Sequence, residues 1–150
     1  MLKLTKSWFP NFLLMERDTI SFKKFLPAIG WFLFTAVLVF LPGSDIPESS
    51  WLDVIYFDKF VHAGIFGGLT LLFCLPYFKA HFTLQEKINY FIKISLAAIL
   101  WGITVEIIQK WFVPGRSFDL LDWAADSVGV YIGFLVSKKI VKYLATLKEA

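Results

Sequence analysis

Residues 102–133 read GITVEIIQKWFVPGRSFDLLDWAADSVGVYIG, and they place Glu106, Gln109, Arg116, Asp119, Asp122 and Asp126 in or beside an otherwise apolar stretch. Ionisable groups inside a membrane span are energetically expensive and mark either function or internal pairing. The rest of the chain decides whether a span is the right description. It has 150 residues, is 57% hydrophobic and 19% aromatic, and has a mean hydropathy of +0.65. Soluble domains use about 45–50% apolar residues, so the composition points to a membrane protein. Length allows one domain, and no linker, repeat or low-complexity tract divides it.

Outward from the central stretch, apolar runs predict four spans: Phe25 to Leu41, Phe60 to Phe78, about Tyr90 to Val113, and about Leu120 to Ser137. Each lies near the ~17–25 residues needed to cross a bilayer. Residues 1–24 predict a cytoplasmic, surface-lying segment, residues 25–140 the membrane domain, and residues 141–150 a cytoplasmic tail. The stretch LPGSDIPESS after the first span has no small-residue cleavage signature, so the first span reads as retained. The single cysteine, Cys74, has no internal partner and falls in an apolar run.

The net charge of +3 does not signal nucleic acid, because the positive residues cluster at the ends of apolar runs. Of fifteen Lys and Arg residues, all but Lys59, Lys110 and Arg116 fall in residues 1–24, 79–93 and 138–148. Twelve against three satisfies the positive-inside rule with both termini in the cytoplasm. Both polar clusters then lie on the outer side, forming a polar mouth. The fourth span is the least secure, since Asp122 and Asp126 would each cost ~2.5–3.5 kcal/mol at a bilayer centre. A re-entrant segment is its alternative, and Lys138, Lys139 and Lys142 argue against it.

Helical spacing organises the polar residues. Asp122, Asp126, Gly129 and Gly133 fall on one stripe of the fourth helix, Gly102, Glu106 and Gln109 on one face of the third, and Asp58 and His62 one turn apart on the second, with Gly64 and Gly68 below. The pair Gly129-x-x-x-Gly133 is a small-residue motif that permits close helix approach. Pro114-Gly115 predicts a tight turn presenting Arg116 at the mouth, either pairing with Glu106, Asp119 or Asp122 or gripping an anionic headgroup.

His62 reads as a hydrogen-bonded packing residue, an acid/base group or a metal ligand, and no zinc motif such as H-E-x-x-H is present. Asp58, Glu106, Asp122 and Asp126 are ligand types for Mg²⁺ or Ca²⁺, without fixing a metal or any other cofactor. No P-loop, G-x-S-x-G or S-x-x-K motif is present.

The ordered set Asp58-Lys59-x-x-His62, Glu106-x-x-Gln109, Pro114-Gly115-Arg116-x-Phe118 and Asp122-x-x-x-Asp126-x-x-Gly129-x-x-x-Gly133 resembles the VanZ-like family of small bacterial membrane proteins. Asp126 departs from it, since the family usually has Asn there. The resemblance implies a link to the cell envelope and leaves the biochemical mechanism open. The combined expectation is an all-α, four-span protein of the bacterial inner (cytoplasmic) membrane. Its outer mouth binds or modifies an anionic envelope lipid or lipid-linked wall precursor. His62, Asp58 and Glu106 are the candidate catalytic groups, and Lys59, Gln109, Arg116, Asp122 and Asp126 the candidate ligand-binding groups. The alternative is a non-catalytic assembly or partner protein whose polar cluster is a structural ion-pair network. A proton or ion carrier is a third reading, weakened because only Thr70, Thr104 and Ser127 continue the polar path.

Overall fold

The computed structural model describes residues 19–40 and 57–149. The acidic loop bearing Asp45, Glu48 and Asp53 and most of the N-terminal segment lie outside them. A 3₁₀ turn, Phe22–Phe25, leads into α1, Leu26–Val39. Pro27 falls in the first turn of α1, where its missing N–H has no helical partner to lose. Helix α2 spans Phe57–Cys74 and ends in a 3₁₀ turn, Leu75–Tyr77, at Pro76. Helix α3, Leu84–Phe112, begins at a capping box in which Thr83 accepts from the Glu86 N–H and the Glu86 carboxylate accepts from the Thr83 N–H. Helix α4, Leu120–Glu149, follows a turn in which Gly115 takes φ 74°, a left-handed conformation that suits glycine.

Among the described residues, four helical stretches are long and apolar enough to cross a membrane: Phe22–Val39, Phe57–Tyr77, Leu84–Phe112 and Leu120–Leu147. Helix α4 is unbroken and outruns the predicted span by three turns, reaching about 45 Å at 1.5 Å per residue. That length suits a crossing rather than a re-entrant hairpin. Its lysines need not end it, because long side chains lay their stems along apolar surface; Lys138 lies 5.8 Å from the centre of the Phe134 ring.

The closest helix contact joins α2 to α4, and it is made of backbone. A Cβ added at Gly133 would lie 2.6 Å from the Gly67 carbonyl oxygen, and one added at Gly67 would lie 3.0 Å from that of Gly129. A Cβ at Gly129 would overlap the Ala63 carbonyl. The α4 half of this seam is the predicted glycine pair; the α2 half is Ala63 and Gly67, not Gly64 and Gly68. Gly64 faces open space, and Gly68 accommodates the Trp31 ring of α1. Alanine serves as the small residue here, which shifts the register by one.

Tryptophan N–H groups tie the remaining helices. Trp31 Nε1 donates to the Ile65 carbonyl at 3.0 Å and Trp123 Nε1 to that of Ile99 at 3.2 Å. At one end of the bundle Cys74, Phe78, Phe91 and Val141 form an apolar core, ringed by Tyr77. The start of α2, the end of α3 and the start of α4 meet at the opposite end, which therefore gathers the polar residues.

Candidate functional site

At the polar end, Lys59 is the hub. Its ammonium sits 2.9 Å from Asp58 and 2.8 Å from Asp119, and also pairs with Asp122. One cation from the first turn of α2 thus binds carboxylates from the start of α4. This arrangement also serves the helix termini, since acidic groups are favoured near N-terminal N–H groups. Asp119 caps α4, its Oδ1 accepting from the Leu121 N–H at 2.8 Å. Lys59 bonded to Asp119 holds that carboxyl below the ordinary carboxylate range.

A second, deeper set lies beside the hub. His62 Nδ1 is 2.9 Å from Asp126 Oδ1, while its Nε2 is 3.8 Å from Asp122 Oδ2. Glu106 from α3 accepts the Asp119 N–H at 2.9 Å through Oε2. Glu106 and Asp126 are fully buried. The unused oxygens, Glu106 Oε1 and Asp126 Oδ2, have no hydrogen-bond partner. Gly102, one turn from Glu106, makes room for this group, since a Cβ there would lie 3.0 Å from Asp126 Oδ2.

The structure thus brings Lys59, His62, Glu106, Asp122 and Asp126 together from three helices. Asp58 reaches the cluster only through Lys59 and is largely exposed; the carboxylate beside His62 is Asp126, across the α2–α4 seam. Gln109 turns elsewhere, its Nε2 donating to the Val39 carbonyl at 2.8 Å and tying α3 to the end of α1. Asp119 was not a candidate from sequence. Its signal was its position immediately before a helical run, where Asp is a preferred N-cap.

Arg116 behaves unlike Lys59. Among the described residues it forms no ion pair with Glu106, Asp119 or Asp122. Its Nε is buried without a partner. The linker that carries it is fixed at both ends, by the Val113 N–H on the Gln109 carbonyl and the Asp119 N–H on Glu106. Beside it in the chain, Trp111, Phe112 and Phe118 are exposed, the first two by 71% and 79%.

Farther along the helices the polar path stops. Thr70, Thr104 and Ser127 each return their hydroxyl to the carbonyl one turn back, on Phe66, Leu100 and Trp123. This is how hydroxyls are satisfied within a helix in an apolar setting.

A sequence model of the family described as VanZ/LLP1 matches residues 11–142. No curated protein and no solved structure matches the chain.

Proposed function

The chain belongs to the VanZ/LLP1 family and is a multi-pass membrane protein, and from that premise we propose that it binds or modifies an anionic lipid or lipid-linked envelope precursor. The site is the polar end of the bundle, facing outward from the bacterial cytoplasmic membrane. Arg116 carries this reading. Lys59 is consumed by carboxylates, whereas the Arg116 guanidinium has no ion pair among the described residues and keeps a buried, unpartnered Nε. A planar guanidinium grips phosphate through paired N–H bonds. Exposed Trp111, Phe112 and Phe118 flank it in the chain and carry rings suited to headgroup depth.

A place for an acyl chain adds support. Between α1, α2 and α3 lies an apolar groove of about 250 Å³, lined by Phe32, Leu69, Phe73, Ile94 and Trp101 among others. The outward orientation rests on the asymmetry of twelve basic residues against three. A chemical step on the bound lipid would use His62 as the proton-exchanging group, with Asp126 orienting it and Glu106 beside them.

One observation favours a second reading. The Lys59 fork alone links α2 to α4 in the way a packing device would, so the polar end could act as a structural network in an assembly or partner protein. Lipid selectivity separates the two. In nanodiscs, brominated phosphatidylglycerol is expected to quench tryptophan fluorescence at lower mole fraction than brominated phosphatidylcholine, and Arg116→Ala to abolish the difference. Equal quenching by both lipids in the parent protein would leave the structural reading in its place.

A further inference from the structure

His62 of α2, Glu106 of α3 and Asp126 of α4 each bring one ligand-type atom to within 4.8 Å of the other two. Three different helices converge on this point, so the arrangement is tertiary rather than a by-product of one acidic run. Two of the three side chains are completely buried, and each retains a carboxylate oxygen with no hydrogen-bond partner. A buried orphan acceptor forfeits its hydration, at about 1–3 kcal/mol and more when charged.

Neighbouring side chains do not relieve them. Among the described residues, Lys59 is within ion-pair distance of Asp58, Asp119 and Asp122 but not of Glu106 or Asp126. Asp126 has His62 as its basic partner, and Glu106 has none. The deep group thus holds two carboxylates against one imidazole.

We propose that His62, Glu106 and Asp126 form a binding site for a divalent first-row transition metal ion of the Mn²⁺ or Zn²⁺ class. The donor set selects the class: imidazole suits such ions, whereas Mg²⁺ and Ca²⁺ favour oxygen ligands throughout. No thiolate contributes, because Cys74 belongs to the apolar core at the other end. The 2.9 Å separation of His62 Nδ1 from Asp126 Oδ1 is close to the ~3.0 Å edge between adjacent ligands on an octahedral ion with bonds of ~2.1 Å. An ion taking the place of a proton between them would release that proton on binding.

The surroundings fit a metal's outer shell. Ligation through His62 Nδ1 would direct Nε2 at Asp122, and the Asp119 N–H already fixes Glu106 through its other oxygen. Gly102 preserves the space that Asp126 occupies. Three protein ligands leave further positions for water or an external group, as in metal sites that act rather than merely brace. This site shares His62, Glu106 and Asp126 with the chemical step proposed on the lipid but not Arg116, so metal binding and lipid binding are tested separately.

Full-length protein in detergent, treated with chelator and titrated with Co²⁺, tests it. The expected result is one Co²⁺ per chain, with d–d absorption of nitrogen and oxygen ligation, displaced by Zn²⁺ or Mn²⁺ and retained in millimolar Mg²⁺. Glu106→Gln and Asp126→Asn preserve shape and are expected to weaken binding at least tenfold, while Arg116→Ala leaves it unchanged. Absence of saturable Co²⁺, Zn²⁺ and Mn²⁺ binding to the folded parent overturns the site. So does undiminished binding in both folded carboxylate variants, or displacement by Mg²⁺ at equal concentration. Should the variants fail to fold, the parent's spectrum decides: an imidazole-containing ligand field upholds the site, and that of aqueous Co²⁺ refutes it.

Discussion

Helices α2 and α4 meet twice within a few turns, in opposite ways. Along Ala63, Gly67, Gly129 and Gly133 they touch backbone to backbone, with no side chain between them. One turn away they meet through Lys59, His62, Asp119, Asp122 and Asp126. The glycine seam leaves no polar group over: its close approaches are between backbones, and the groove of about 320 Å³ beside it is apolar. By contrast, the polar meeting leaves two buried carboxylate oxygens unsatisfied beside it and Arg116 outside every ion pair among the described residues. Helix packing needs none of those leftovers, which is why the proposed function is placed at the polar end and stability at the seam.

The largest effect is expected where the seam is broken. Gly129→Leu would drive a branched side chain into the Ala63 carbonyl, and overpacking of this kind costs about 3 kcal/mol or more. Folded, monodisperse yield in detergent should collapse; normal yield and melting would mean that the backbone contact does not hold α2 to α4.

A smaller but clear loss is expected for Lys59→Met. It leaves Asp122 and Asp119 without their cation, and removing one partner of a buried pair costs about 3–5 kcal/mol. Partial exposure of Lys59 puts this case near the low end, about 3 kcal/mol. Thermal unfolding in detergent measures it, and Lys59→Met with Asp122→Asn should recover part of the loss. Failure to recover would show that the pair does not act as a unit.

These two contrasts also mark what was legible in the sequence. Four apolar runs of spanning length announced four helices, and Gly129 with Gly133 announced half of the seam. The α2 half was misplaced because a search for glycine passes over Ala63, which is just as able to admit a neighbouring backbone. Asp58 and His62 share a helix face, but the tertiary fold gives Asp58 to Lys59 and brings Asp126, 64 positions away in the chain, to His62. Lys59 itself shows no local pattern that foretells three carboxylate partners, since Asp119 and Asp122 lie 60 and 63 positions away. Arg116 was expected either to pair with nearby acids or to grip an anionic headgroup, and the first does not occur among the described residues. Lys59 takes Asp119 and Asp122 instead, and Glu106 is bonded to the Asp119 N–H.

The smallest expected effect concerns pH. Asp119, just outside the membrane-spanning part of α4, has its carboxyl held below the ordinary value of about 3.9 by Lys59. A lowered folded-state value contributes stability above the unfolded value, and that contribution is lost as pH falls through the folded one. Asp119 is part-exposed, so the step is modest. Melting temperature followed from pH 7 to pH 3 should decline less in Asp119→Asn than in the parent; identical declines would remove Lys59 as the cause.

In the proposed division of labour, Arg116 is kept for a ligand while Lys59 holds the helices. Native mass spectrometry of the parent and of Arg116→Ala, released from detergent containing equimolar phosphatidylglycerol and phosphatidylcholine, tests it most directly. The account predicts preferential phosphatidylglycerol adducts on the parent, at least a tenfold loss of that preference in Arg116→Ala, and unchanged melting of the variant. An equal lipid profile for the two proteins, or a variant that loses its fold, would contradict it.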